Sequence, residues 1–175
     1  MPDNLTGLAT LAELNEAIGS RSLLAAPRTQ VAVYMDIGSL VHVTAVLGHH
    51  QSDEILQRMA RLLCIYFPQM EAGRVGGDEF ILLAPDRAAA EAAADRLQEL
   101  TDREFEPQRV AVRANAKAKQ VVAPPERLLQ LSIALFEVAT VDNLKERLRQ
   151  VSGALHSALC GANGGAARIV APIAT

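Results

Sequence analysis

The sequence has no tryptophan, and aromatic residues make up only 3% of its 175 residues. Proteins that bind single-stranded nucleic acid need aromatic side chains on which bases can stack, so this scarcity argues against that class. The charge balance argues the same way, because 17 lysines and arginines against 20 aspartates and glutamates give a net charge of −3. A nucleic-acid-binding surface is normally basic. We therefore expect no nucleic-acid partner.

Long apolar runs and paired cysteines are also missing. No stretch approaches the ~20 apolar residues that a membrane-spanning helix needs, and no signal peptide opens the chain. Cys64 and Cys160 are far apart and form no CxxC pair, so we expect reduced thiols in the core rather than a disulfide. The four histidines show no metal-ligand spacing. These absences predict a cytoplasmic protein, or a cytoplasmic segment of a larger one, with no membrane segment.

The residues that are present suit one aliphatic core. Hydrophobic residues make up 50% of the chain, which is enough for a single domain spanning residues 1–175. Strands and helices are predicted to mix without a regular β-α-β alternation, which favours an α/β (α+β) domain with a mixed, mainly antiparallel sheet. Apolar periodicity predicts strands at 29–38, 71–75, 79–85, 109–122, 128–138 and 166–172, and helices at 39–47, 52–67, 86–102 and 142–161.

Local signals refine this pattern. Ser52 is a natural N-cap for the helix 52–67, and Asp86 for the next helix. Gly76 and Gly77 predict a tight hairpin turn in which both residues take positive φ. In the last helix an apolar stripe of leucines and a valine predicts a buried face; its members are Leu144, Leu148, Val151, Leu155 and Leu159.

Three carboxylates lie beside the predicted hairpin. Asp36 ends the strand 29–38, and Asp78 and Glu79 follow the two glycines. If the two strands are neighbours, these carboxylates meet at one edge of the sheet. A few oxygen ligands of this kind suit Mg²⁺ bound together with substrate phosphates. Taken alone, however, acids after a Gly-Gly turn are ordinary turn chemistry, and Asp53 alone is typical of a helix start.

Several spaced motifs together resemble those of diguanylate cyclase (GGDEF) domains. Residues 76–80 read G-G-D-E-F, and "DNLTGL" at 3–8 is similar to the family's opening D-x-L-T-G-L. "DIG" at 36–38 and "LGHHQSDEIL" at 47–56 are in register with the family's D-x-D and G-H-x-x-G-D-x-x-L motifs. "LSIALF" and "ALHSAL" resemble its closing segments. The resemblance covers nearly the whole chain.

The resemblance implies a five-stranded, mainly antiparallel sheet wrapped by helices, similar to nucleotidyl cyclases and polymerase palms. Family enzymes join two GTP molecules into cyclic di-GMP as a homodimer, with one GTP in each half. It further implies that Asp36, the carbonyl of Ile37 and Asp78 hold Mg²⁺ or Mn²⁺ with GTP. Asp78 and Glu79 would be the catalytic residues, with Glu79 helping to activate the 3′ hydroxyl.

The implied nucleotide-binding positions are Gly76, Gly77, Asp53, Thr44 and Leu40. Asp53 would accept hydrogen bonds from guanine, and the glycines would let the backbone approach the nucleotide. Several of these regions depart from the family pattern. Gly38 replaces the second aspartate of D-x-D, Leu40 and Val41 replace a Phe-Lys pair, Thr44 replaces the guanine-binding asparagine, and Ser52 replaces a glycine.

The cationic positions of the family are also changed. Leu159 replaces a phosphate-binding lysine, and no arginine follows it one turn later. Other cations, such as Arg74, Lys117, Lys119 or Arg168, are possible substitutes in space. The product-binding R-x-x-D motif is replaced by Phe-Pro-Gln-Met at 67–70, so we expect no cyclic di-GMP at that site. Arg74 is a candidate for contacting cyclic di-GMP elsewhere by stacking on guanine.

Three functions remain open from the sequence. The first is a degenerate, regulatory domain that binds GTP, cyclic di-GMP or a partner and has weak or no cyclase activity. The second is an active diguanylate cyclase, supported by the intact signature. The third is a structural dimerisation module. In each case we expect the domain to come from a longer signalling protein with an attached phosphodiesterase or sensor domain.

Overall fold

The computed structural model describes residues 1–22, 30–116, 118–119, 128–138, 144–161 and 168–170, with the backbone alone at 21–22, 155–161 and 168–170. In chain order its elements are β1 (Ala9–Thr10), α1 (Leu11–Ser22), β2 (Gln30–Ile37), α2 (Leu40–Leu47), α3 (His49–Tyr66), β3 (Glu71–Arg74), β4 (Glu79–Ala84), α4 (Arg87–Glu104), α5 (Glu106–Ala116), β5 (Leu131–Val138), α6 (Leu144–Gly161) and β6 (Arg168–Val170).

The strands form one mixed sheet in the order β1-β3-β4-β2-β5-β6. The three central pairs, β3–β4, β4–β2 and β2–β5, are antiparallel. The two outer pairs, β1–β3 and β5–β6, are parallel. The prediction of a mixed, mainly antiparallel α/β fold is confirmed. The two-residue β1 at one edge adds a sixth strand to the five that were expected.

Helices cover both faces of the sheet, so the central strands are buried on both sides. On one face Val31, Val33 and Met35 of β2 pack with the apolar side chains of α2, α3, α4 and α5. On the other face Ala32 and Tyr34 pack with α1 and α6. Because side chains alternate along a strand, Asp36 lies on the second face with Tyr34. We call this second side the α1/α6 face.

Several local predictions are confirmed. Asp86 caps α4, because its carboxylate accepts a 2.8 Å hydrogen bond from the Ala89 backbone N–H. On α6 the stripe residues Leu144, Leu148 and Val151 are buried. The side chains of the remaining stripe residues, Leu155 and Leu159, lie outside the described part of the chain.

The predicted strand at 109–122 is wrong over its described first half, since residues 106–116 form α5. Its valines suggested a period of two, but the buried positions are Arg109, Val112 and Ala116, while Val110 is 56% exposed. Spacings of three and four residues belong to a helix face. The buried Arg109 donates to the carbonyls of Leu128 and Leu129 just before β5. Helix α5 is therefore tied to the strand that follows it.

Three smaller predictions are also wrong. Helix α3 begins at His49 after Gly48, whose φ is 93°, so Ser52 lies inside the helix and is not its N-cap. Neither Gly76 nor Gly77 has a positive φ. Residues 75–78 instead form a wider connection, closed by hydrogen bonds from the Val75 and Gly76 N–H groups to the Glu79 carbonyl. Cys64 carries a free thiol, as expected, but it is exposed rather than in the core.

None of the helices within the described ranges combines the length and apolarity that crossing a membrane requires.

Candidate functional site

The candidate metal and catalytic residues meet where β2 ends and β4 begins. Asp36 lies directly opposite Glu79 in the antiparallel β2–β4 register. One residue further, the Ile37 N–H donates to the Asp78 carbonyl at 3.1 Å. The predicted adjacency of the Asp36 and Asp78 segments is therefore confirmed. Asp36, Asp78 and Glu79 are all half-buried at this corner of the sheet.

The corner is electrostatically unfavourable for Asp78. Partial burial raises the pKa of the Asp78 carboxyl, and the negative charge of Glu79 raises it further. A hydrogen bond from its own backbone and the charge of Arg74 act in the opposite direction without cancelling the rise. A cation beside Asp78 would stabilise its charged form. In the described part of the chain, however, no three His, Cys, Asp or Glu side chains converge as ligands for one ion.

Glu79 is held by two hydroxyl groups. The Tyr34 phenol donates to its Oε1 at 2.5 Å, and the Ser152 hydroxyl of α6 donates to the same oxygen at 3.3 Å. Tyr34 is only 1% exposed, and its pKa is raised well above its usual range by burial and by this carboxylate. Gly76 makes room for the arrangement, since a Cβ there would overlap Oε2 of Glu79. The carboxylate therefore lies against α6.

Among the residues expected to bind guanine, the Thr44 side chain forms hydrogen bonds within the protein. The Thr44 and Ser52 hydroxyls are hydrogen-bonded to each other at 2.6 Å, and the Thr44 hydroxyl also lies 3.3 Å from the Leu40 carbonyl. Ser52 is 5% exposed, and the side chain of Leu40 belongs to the core. Asp53 is exposed. Of these residues, only Asp53 presents a side chain suited to a guanine base.

Arg74 links the opening motif to the hairpin turn. Its guanidinium donates to both oxygens of the Asp3 carboxylate, at 3.2 and 3.3 Å, and to the carbonyl of Gly77, at 2.6 and 3.2 Å. Thr6 donates to the same carboxylate from its N–H and its hydroxyl. A guanine base could stack on Arg74 only after these hydrogen bonds had rearranged.

The segment in place of the product-binding motif offers no charge. Phe67 and Met70 pack against the core, and the Met70 N–H donates to the Phe67 carbonyl at 3.0 Å. Of the possible substitute cations, Lys117 and the side chain of Arg168 lie outside the described residues. Lys119 follows α5 in a turn.

Sequence reasoning missed Tyr34 and Ser152. Tyr34 precedes Asp36 by two residues on a strand, so the alternation of side chains was a sufficient signal that both share a face. Ser152 gave no comparable signal, because its contact with Glu79 joins residues 73 positions apart.

A family model described as "Diguanylate cyclase, GGDEF domain" matches residues 1–158. The chain belongs to the GGDEF domain family. The G-G-D-E-F signature of this GGDEF domain spans the β3–β4 turn and the first two residues of β4, and the family's function lies in cyclic di-GMP signalling.

Comparison with known proteins agrees with this placement. The protein Rv1354c of Mycobacterium tuberculosis is 29% identical over 101 residues, a match that covers 57% of this chain and 16% of that protein. The GGDEF domain of FimX from Pseudomonas aeruginosa is 17% identical with a TM-score of 0.67, covering 97% of this chain and 98% of that one. The GGDEF domain of DgcB from Caulobacter crescentus, in complex with c-di-GMP, is 18% identical with a TM-score of 0.62, covering 97% and 94%. At these identities the structural likeness concerns the fold.

Proposed function

We propose that this GGDEF domain is a degenerate, regulatory member of the family that makes little or no cyclic di-GMP. It acts by binding GTP, cyclic di-GMP or a partner domain. The observation that carries the proposal is the 2.6 Å hydrogen bond between Ser52 and Thr44. The two hydroxyls bond to each other and Ser52 is 5% exposed, so the pair does not offer guanine the donor and acceptor that an asparagine side chain supplies. Asp53 alone offers a poor basis for selecting guanine.

The phosphate-binding side supports the same conclusion. Leu159 stands where the family has a lysine, and no arginine follows it one turn later. Hydrogen bonds to charged groups contribute about 1.5–3 kcal/mol each, so two losses weaken triphosphate binding by roughly 3–6 kcal/mol. That corresponds to about two to four powers of ten in affinity. Because cyclisation requires two bound GTP molecules, the loss acts twice at low GTP concentration.

The residues where β2 ends and β4 begins suit a metal ion that binds together with a nucleotide. GGDEF cyclase domains use Mg²⁺ with GTP, and here Asp36, Asp78 and the Ile37 carbonyl are the residues that would hold Mg²⁺ or Mn²⁺. Two carboxylates and one carbonyl suit an ion whose remaining ligands are phosphate oxygens and water. The pKa of the Asp78 carboxyl is raised mainly by partial burial and further by the charge of Glu79, and a cation bound there would favour the charged form. The ion would neutralise the phosphates, and Asp36 and Asp78 would orient it.

An active cyclase is the alternative function. The direct pairing of Asp36 with Glu79, and Asp78 beside it, supports this alternative because the family's acidic residues are together. In that case the working unit is a homodimer that converts two GTP molecules. For either function we propose an attached phosphodiesterase or sensor domain as the partner that transmits the bound state.

The deciding experiment is GTP turnover by the purified domain with Mg²⁺, at a protein concentration where it is dimeric. We expect turnover far below ~1 s⁻¹, the lower end of typical enzyme rates. Turnover at or above that rate would establish the active cyclase instead. Calorimetry with GTP and with cyclic di-GMP then identifies which nucleotide the domain binds. Tight cyclic di-GMP binding centred on residues 67–70 would contradict the expected loss of the product site.

A further inference from the structure

A pocket of about 230 Å³ opens on the α1/α6 face beside Glu79. Its floor is formed by Tyr34, Glu79 and Ser152, and its rim carries Lys145 and Arg149 from α6. Leu148 contributes to an apolar wall between them. The pocket is distinct from the Thr44–Ser52 region, which lies between α2 and α3.

The floor accepts hydrogen bonds and donates none. Both of its hydroxyl protons, from Tyr34 and Ser152, are directed to Oε1 of Glu79. What the floor offers a ligand is therefore a carboxylate and the lone pairs of two hydroxyl oxygens. A hydrogen-bond donor with a positive charge satisfies this arrangement better than any neutral group does.

The rim has the opposite chemistry. Lys145 and Arg149 are four residues apart on α6, so they project from one side of the helix. Arg149 is paired with Glu146 at 2.9 Å, but its side chain is 79% exposed. An exposed pair of this kind contributes about 0–1 kcal/mol, so the arginine can exchange Glu146 for a ligand anion at little cost. Lys145 is also exposed and also has an interaction of its own, and the same exchange applies to it.

The balance of charges selects the ligand. A phosphate monoester would bring two negative charges towards Glu79, and a simple amine would bring its charge past Lys145 and Arg149. A molecule with an ammonium at one end and a carboxylate at the other matches both ends of the pocket. We propose that this pocket binds a small zwitterion, an amino acid or a short ω-amino acid, with its ammonium on Glu79 and its carboxylate on Lys145 and Arg149.

Occupancy would have a consequence for the signature motif. The ammonium would hold the Glu79 carboxylate on the α1/α6 face, where Tyr34 and Ser152 already hold it. Binding of the zwitterion would thus affect the position of a residue of the G-G-D-E-F motif directly. Binding of the zwitterion requires no nucleotide, so it is measured independently of the proposed function.

The test is a titration of the domain with glycine, β-alanine, γ-aminobutyrate and ε-aminocaproate, followed by amide NMR shifts or calorimetry. We expect one of these four amino acids, the one whose length matches the pocket, to bind with a dissociation constant of about 1 mM or lower. Butylamine, butyrate and inorganic phosphate serve as single-charge and anion controls and should bind at least about tenfold more weakly. Equal binding of the single-charge compounds, stronger binding of phosphate, or no binding of any zwitterion overturns the proposal.

Variants locate the site. Glu79→Gln should weaken zwitterion binding at least about tenfold, the effect of losing one charge-assisted contact, and the double variant Lys145→Gln/Arg149→Gln, which removes two such contacts, should weaken it more. Both positions of the double variant are exposed on α6, so this variant should fold and can test the proposal even if Glu79→Gln does not fold. Arg61→Gln, an exposed change on α3, is the matched control and should leave binding unchanged. GTP is titrated into the same double variant. Unchanged GTP affinity is expected, whereas a parallel loss would show that these cations serve nucleotide phosphates and would overturn the proposal.

Discussion

Nη1 of Arg74 lies 3.2 Å from Oδ1 of Asp3, although 71 residues separate them in the sequence. The same guanidinium donates to the carbonyl of Gly77. The opening motif and the G-G-D-E-F turn therefore form one hydrogen-bonded unit. Substituting Asp3 or Arg74 should therefore disturb the conformation of the signature turn. The contribution of the Asp3–Arg74 contact to stability can be measured as a function of pH.

Asp3→Asn should destabilise the domain at about pH 7 and matter progressively less in acid. Partial burial would raise the pKa of Asp3, but the hydrogen bonds from Thr6 and Arg74 outweigh it and lower the pKa in the folded state. A lowered pKa contributes stability above the unfolded value that is lost as pH falls through the folded value. Urea unfolding of both proteins from about pH 7 to about pH 3 measures the difference. We expect a loss of about 1 kcal/mol at neutral pH, because solvent screens this shallow ion pair.

Glu16→Gln is the control for Asp3→Asn, because Glu16 is an exposed carboxylate on α1. It should change the free energy of unfolding by less than about 0.5 kcal/mol at every pH. A difference between Asp3→Asn and the wild type that is independent of pH would contradict the assigned linkage.

Asp78→Asn should change the free energy of unfolding in the opposite direction from Asp3→Asn. The pKa of Asp78 is raised in the folded state, so its ionised form costs stability above that pKa and the cost disappears as pH falls through it. Removing the charge should therefore make the domain more stable than wild type at about pH 7, with a smaller gain in acid. The same variant should lose Mn²⁺ binding in the presence of GTP. A less stable Asp78→Asn protein at neutral pH would show that the carboxylate is not unfavourably placed.

Gly76→Ala and Gly77→Ala form a matched pair. A Cβ at residue 76 would meet Cδ of Glu79 at 2.8 Å, whereas at residue 77 it would meet nothing within 4 Å. We expect Gly76→Ala to push the carboxylate away from Tyr34 and to cost about 1.5–3 kcal/mol, the value of a hydrogen bond to a charged group. Gly77→Ala should be tolerated. Equal losses in urea unfolding would contradict this.

Tyr34→Phe tests the mechanism of the Gly76→Ala effect. If the alanine has already broken the contact between Tyr34 and Glu79, removing the phenol in the Gly76→Ala background should cost little more. In the otherwise wild-type protein the same removal should show its full effect. This non-additivity is measured as a double-mutant cycle. Strictly additive losses would show that Gly76 does not act through Glu79.

Restoring family residues at the nucleotide site should raise GTP affinity. Leu159→Lys supplies a charge-assisted contact to phosphate, with an expected gain of about tenfold to a hundredfold. Thr44→Asn combined with Ser52→Gly should add guanine selectivity, because it removes the hydroxyl pair and introduces a donor and an acceptor. Calorimetry with GTP and ATP measures both gains. Thr44→Asn alone is the control, and it should do less because Ser52 still occupies the site.

Much of the fold could be predicted because its signals are local. β2 and β4 are short apolar runs that end or begin at acids, and both lie where the sequence places them. Helix α4 begins after Asp86, whose side chain caps it. Helix α5 was predicted wrongly as a strand, because valines two residues apart in an eleven-residue segment fit either period. The anchoring of Arg109 to the carbonyls of Leu128 and Leu129 across a connection belongs to the tertiary structure.

The family and the sheet type were determined by the sequence, because both depend on motifs and periodicity within single segments. The meeting of Asp36 with the G-G-D-E-F turn was expected only if β2 and β4 were neighbours, and the strand register supplied that condition. Only the tertiary structure decided what those residues do once they are together. The Tyr34 phenol and the Ser152 hydroxyl reach Glu79 through strand register and through the docking of α6, and Ser52 reaches Thr44 through the packing of α3 on α2. A hydrogen bond between separate elements depends on their relative placement to within about 0.5 Å, which no local pattern specifies.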